Sequence, residues 1–302
     1  MHNVEPEWPH SRRPGEPRCI IFLHVPKTAG WTLRGVLHYK YPSEILFLDQ
    51  RSDPFGGIGE VPLQERRRAR VATGHVFHGV HEHIPQPTEY ITVLRDPIAR
   101  VVSMYNHVRR RRNHRLHDEV AGSGMGLEEF ARSCADAGID NQQTRLISGR
   151  ARGEVKFRDS GVGGSWVAPP LERSDLELAK RNLDEFLLVG LTERFDETFI
   201  LLRRALGWRL PMYMTRNVGR AANSSAPERP SELAIELIRK RNELDLELYE
   251  HATRLFDDAV ARQPPSFQRE VAAFRMLNRI PNALGPRIPA RLRQPLRAAL
   301  PR

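Results

Sequence analysis

The chain has 302 residues, 40% hydrophobic and 28% charged, which is the balance of a soluble globular protein large enough for one large α/β domain or two small ones. Its two cysteines, Cys19 and Cys134, exclude a scaffold built on disulfides and fit a reducing compartment. A net charge of +10 points to an anionic ligand: nucleic acid, a membrane surface, a nucleotide or an acidic glycan.

Residues 1–17 are polar and proline-rich and read as a disordered arm without the apolar core of a signal peptide. No apolar run is long enough to span a bilayer, so a cytoplasmic protein is expected. Residues 19–25 are predicted as a buried strand, 31–40 as a helix, and ILFLD at 45–49 as a second strand. Glycines and prolines mark a loop over 53–62. A short strand over 71–73 ends at Gly74-His75, and Tyr90–Leu94 is rich in β-formers. Asp96 is a natural N-cap and Pro97 a natural first helical residue. Ile98, Val101, Val102 and Tyr105 then repeat at helical spacing.

Residues 113–126 read as a loop, 127–138 as a helix and 149–170 as a glycine-rich loop. Ser174, with Glu177 three residues on, predicts a capping box before the next helix. FLLVGL at 186–191 is a buried strand, 192–208 a helix, 214–230 a long loop, and 231–260 one or two helices. After Arg262 the chain turns basic and proline-dotted and reads as a tail that could rest on an anionic membrane. The expected division is an arm over 1–17, a domain over 18–261 and a tail over 262–302. Strands alternating with helices predict an α/β fold of three layers, with a central, mainly parallel sheet.

Two strand–helix junctions carry the chemistry. In HVPKTAGWT, Lys27 sits in a tight loop between a strand and a helix N-terminus, where loop amides, the helix dipole and the ammonium all favour a phosphate. This is not a Walker A loop, because the lysine precedes the glycine. In the second junction Arg95 ends a strand, and Ser103 lies about two turns along the following helix. A guanidinium fork and a hydroxyl can hold a second phosphate there.

Together HVPKTAGWTL and YITVLRDPIARVVSMY resemble the sulfotransferase superfamily, in sequence, order and spacing. The likeness is to the carbohydrate branch that includes heparan sulfate 2-O-sulfotransferases and bacterial relatives. DNQQTRLISG, LAKRNLDEFLLVGLTERFDETFILL and NELDLELYEHATRLF extend it over about residues 19–256. The resemblance implies a P-loop-like fold and the co-substrate 3′-phosphoadenosine 5′-phosphosulfate (PAPS). Lys27, Thr28, Ala29, Gly30, Trp31 and Thr32 would line its 5′-phosphosulfate, while Arg95 and Ser103 would hold its 3′-phosphate. Arg216 would lie in a loop closing over it. Relatives carry threonine or serine where this chain has Trp31, which would stack on the adenine or pack into the core.

Sulfuryl transfer needs a base at the acceptor hydroxyl and a cation at the leaving phosphate, and it needs no metal if lysine supplies that cation. Lys27 fits the second role. His75, at a strand end and with a pKa suited to proton abstraction, is the candidate base. The resemblance places the family's catalytic histidine in this Gly-His pair. In 2-O enzymes a further histidine stands two residues earlier, where this chain has Thr73. His78, His81 and His83 follow with no metal-site template and are expected in a polar loop, with His78 lining the acceptor cleft. Arg109, in the run 109–112, and Arg145 are candidates for binding a carbohydrate acceptor with acidic groups. The alternative is a non-catalytic module for polyanions or nucleic acid. The 7% aromatic content and the absence of a nucleic-acid motif count against it.

Overall fold

A computed structural model describes residues 18–48, 55–133, 137–150, 156–159, 164–208 and 229–284. The arm over 1–17, Cys134, Arg216 and the basic segment 287–302 lie outside the described residues. Five parallel strands form one sheet in the order β2-β3-β1-β4-β7. They are β1 (Cys19–Leu23), β2 (Ile45–Leu48), β3 (Val71–Gly74), β4 (Thr88–Leu94) and β7 (Leu188–Leu191). Every residue of β1, β3 and β7 is buried, as expected of strands covered by helices on both faces. The architecture is the predicted three-layer α/β fold.

Ten helices are described: α1 (Gly30–Lys40), α2 (Leu63–Arg68), α3 (Pro97–Arg110), α4 (Leu127–Ser133), α5 (Gln142–Ser148), α6 (Arg173–Asp184), α7 (Phe195–Ala205), α8 (Glu232–Arg241), α9 (Glu243–Ala261) and α10 (Ser266–Leu284). The main core sits around the sheet. A second cluster, including Val101, Tyr105, Val108, Phe130 and Ile238, joins α3, α4 and α8. Asp96 caps α3 as predicted, its side chain accepting from the Ala99 amide at 2.7 Å. Among the described residues no helix is long and apolar enough to cross a membrane.

Several expectations are corrected. The residues read as a tail continue into α10, where Phe267, Val271 and Phe274 are buried. They recur at helical spacing and dock on α7, with the Phe274 ring stacked on Phe199 at 4.9 Å. Phe274→Ala is therefore expected to destabilise the protein by about 3–5 kcal/mol in denaturant unfolding. Wild-type stability in that variant would show that α10 is not part of the fold. The capping box of α6 uses Glu172 and Asp175 rather than Ser174 and Glu177. The glycine-rich stretch holds an antiparallel hairpin, β5 (Lys156–Asp159) with β6 (Gly164–Val167).

The order of strands matters for function. From β1 the chain first runs outward to β2, returns to β3, and then crosses to β4 on the other side. Connections thus reverse direction at β1, and in open parallel sheets ligands bind beyond the carboxyl ends of the strands at such a point. Leu23 pairs with Gly74, so β1 and β3 end level with each other. Their flanking residues, with Arg95 after β4, share one edge.

Candidate active site

The loop from His24 to Ala29 follows β1 directly. Lys27 and Ala29 adopt left-handed backbone angles, φ 74° and 61°, which non-glycine residues rarely take. Strain of this kind persists only where surrounding contacts hold it, and it gathers at functional sites. Thr28 supplies one such contact: its buried hydroxyl donates to the Val25 carbonyl at 2.8 Å. That commits the hydroxyl to the loop, so Thr28 can reach a ligand only through its backbone. The Thr32 amide donates to Ala29 O at 3.0 Å. Ala29 caps α1 without any side-chain acceptor. The first amides of a helix have no partners within it, so this N-terminus suits an anion.

Gly30 is required by close packing. A Cβ at this position would lie 1.9 Å from the ring of His24. His24 is buried beneath the loop with its ring 4.3 Å from that of His75. Burial, with the charges of His75, Arg34 and Lys27, holds the His24 pKa well below the usual histidine value, so His24 is neutral. Gly74 is also fixed by packing, since a Cβ there would lie 2.3 Å from the Leu48 carbonyl oxygen.

His75 follows Gly74 and is partly exposed. Its Nδ1 lies 2.8 Å from the His24 carbonyl oxygen. A carbonyl only accepts, so Nδ1 carries the proton, and the lone pair of the neutral ring sits on Nε2. This is the tautomer a general base needs.

Arg95 leaves the end of β4 and reaches back to the loop, where Nη1 donates to the Lys27 carbonyl at 3.1 Å. Its Nε is buried without a hydrogen-bond partner, with Glu193 3.9 Å away. Its side chain remains 27% exposed, enough to meet a ligand. Burial, and after it the charges of Arg110, Arg95 and Arg111, lower the Lys27 pKa to about 8. Arg110, Arg95 and Arg111 surround Lys27 with positive charge, a donor set that fits phosphate or sulfate. His107 lies in the same field: burial and then Lys27, His114, Arg111 and Arg110 bring its pKa to about 4. Ser103 stands one helical turn before His107, so the two share a face of α3.

The other predicted residues fall elsewhere. Trp31 is 45% exposed, which rules out packing into the core; the Arg34 guanidinium lies 5.1 Å from its ring centre. His78 packs in an aromatic cluster with Tyr90, Phe186 and His81, and its amide bonds Leu146 O. Tyr90 belongs to the amino-terminal half of β4, so this cluster lies away from the carboxyl edge. Arg145 is buried and its guanidinium donates to Pro169 O at 2.8 Å, a structural tie instead of an open acceptor contact. Arg109 is exposed and lies over Tyr105, whereas the charges felt at Lys27 belong to Arg110 and Arg111. Among the described residues no group of three or more His, Cys, Asp or Glu is placed to hold a metal ion.

Sequence reasoning missed His24 and His107, and from the run 109–112 it picked Arg109 where Arg110 and Arg111 are the residues whose charges reach Lys27. His24 could have been found from its position at the start of the loop, three residues before Lys27. The helical phase from Ser103 through His107 to Arg110 marks the others.

Fold and site define a sulfotransferase-like α/β protein with a cluster of cationic side chains at the carboxyl edge of its sheet. The sequence profile described as Galactose-3-O-sulfotransferase matches residues 61–283, which span His75, Arg95 and Ser103 but not the Lys27 loop. The chain belongs to this family. It is similar to human heparan-sulfate 6-O-sulfotransferase 1, with 28% identity over 85% of this chain and 61% of the relative. It is also similar to human heparan-sulfate 6-O-sulfotransferase 3, with 30% identity over 55% of this chain and 37% of the relative. The chicken heparan-sulfate 6-O-sulfotransferase 2 is 29% identical over 55% of this chain and 44% of its own length. The chain thus spans about two fifths to three fifths of these relatives. These matches place the chain in a carbohydrate sulfotransferase family and do not support the 2-O branch expected from the sequence.

Proposed function

We propose that the chain transfers a sulfuryl group from PAPS to a hydroxyl of a carbohydrate with acidic groups. The observation that carries this reading is the convergence of Lys27, Arg95 and His75 beyond the ends of β1, β4 and β3. The α1 amides and Lys27 would hold the 5′-phosphosulfate, and Arg95 with Ser103 the 3′-phosphate. PAPS supplies the activated sulfuryl group. His75 Nε2 takes the proton of the acceptor hydroxyl as its oxygen bonds to sulfur. The bond from sulfur to the bridging phosphate oxygen breaks, and Lys27 balances the charge that develops on that oxygen. The products are a sulfate ester and 3′-phosphoadenosine 5′-phosphate, with the proton on His75 passing to solvent.

The non-catalytic polyanion module is the less favoured reading, since the family and the matched relatives carry sulfotransferase names. Incubation of the full chain with sulfur-labelled PAPS and a panel of heparan, desulfated heparan and galactosyl glycans tests the proposal. Label is expected on a glycan. Folded protein that binds the nucleotide and labels none of the panel would contradict the acceptor class.

A further inference from the structure

We infer that Gln143 is a positioning residue for Arg95, and that through Arg95 it sets the preference for a 3′-phosphorylated nucleotide. The inference rests on the reading of Arg95 as the 3′-phosphate ligand. Gln143 is fully buried on α5. Its Oε1 accepts from the Arg95 amide at 3.0 Å, and its Nε2 donates to the Arg95 carbonyl at 3.0 Å. Regular strand pairing ends just before this residue, at Leu94. The glutamine amide therefore replaces a neighbouring strand and fixes the peptide from which the guanidinium extends.

Gln143 is itself anchored. Its backbone amide donates to Asp245 Oδ2 at 3.1 Å, and the Thr144 amide and hydroxyl donate to Oδ1 at 2.7 and 2.8 Å. Asp245 is fully buried on α9 and lies 3.9 Å from buried Arg100 of α3. Arg100 in turn donates to Gly138 O and Gln142 Oε1. A continuous buried polar chain thus runs from α9 through α5 to the end of β4. On the other side, Asp96 N donates to Glu193, which also accepts from Tyr249. Arg95 is held at its backbone by Gln143 and at its guanidinium by the Lys27 carbonyl. A side chain fixed in this way loses little freedom when phosphate arrives. The Gln143 amide is paired at both its oxygen and its nitrogen, and buried polar groups paired in this way rigidify the segment they hold.

The test compares affinities for 3′-phosphoadenosine 5′-phosphate and adenosine 5′-monophosphate, measured by calorimetry on the full chain. Gln143→Met keeps the length and removes both hydrogen bonds; Gln143→Glu keeps the acceptor and loses the donor. Gln143→Met is expected to shrink the wild-type preference for the bisphosphate by about tenfold, with monophosphate affinity unchanged. Gln143→Glu is expected to fall between. An unchanged ratio, or equal weakening of both ligands, would overturn the inference. Hydrogen exchange of the Arg95 amide in the unliganded wild type gives a check that needs no variant: slow exchange is expected, and exchange at the rate of an open loop overturns it. Wild-type protein that fails to prefer the bisphosphate would instead overturn the assignment of the site itself.

Discussion

His75→Ala is expected to lower sulfate transfer by about 10²–10⁴-fold, the usual worth of a positioned general base. The hydrogen bond from Nδ1 to the His24 carbonyl leaves the lone pair on Nε2, so the ring is set for proton abstraction before the acceptor arrives. The loss should appear in kcat. The affinity for 3′-phosphoadenosine 5′-phosphate should change by less than about threefold, because the ring is assigned to the acceptor and not to the nucleotide. Normal turnover in this variant, measured with labelled PAPS, would reject His75 as the base.

Lys27→Ala is expected to lower transfer by about 10²–10³-fold, through loss of the charge that stabilises the leaving phosphate. It should also weaken binding of 3′-phosphoadenosine 5′-phosphate by about tenfold to a hundredfold, the range for a lost charged hydrogen bond. The pH dependence has a definite sign. Burial and neighbouring arginines bring the Lys27 pKa down to about 8. Below that value the lysine is already charged and affinity is flat. Above it, binding a phosphate must take up a proton, because the bound anion raises the pKa. Wild-type affinity should then fall by about tenfold per pH unit above 8, with proton uptake visible in buffers of different ionisation enthalpy. Lys27→Ala should flatten this profile. A profile in the variant as steep as that of wild type would contradict the assignment.

The phosphate loop, the Asp96-Pro97 helix start and the parallel sheet were legible because their signals are local. A strand, a tight loop and a capped helix are written in neighbouring residues. The helix α5 was not legible, because DNQQTRLIS shows no apolar period. Its amino end is satisfied by Asp245, about a hundred residues away. The same distance hides the hold of Gln143 on Arg95. Arg145 stands in a family-like segment, yet it is buried and tied to the Pro169 carbonyl, a partner that sequence spacing cannot reveal. The basic, proline-dotted composition masked α10, although Phe267, Val271 and Phe274 already carry a helical spacing. Trp31 is settled as to burial: it stands at the surface beside Arg34.

The central claim is a site for two phosphates on one nucleoside, with Lys27 at one end and Arg95 at the other. Calorimetric titration of the full chain with 3′-phosphoadenosine 5′-phosphate, and separately with ATP, tests it most directly. Saturable one-to-one binding of the bisphosphate is expected, with a preference over ATP that Arg95→Ala removes. No binding of the bisphosphate by folded protein, or equal affinity for ATP, would contradict it.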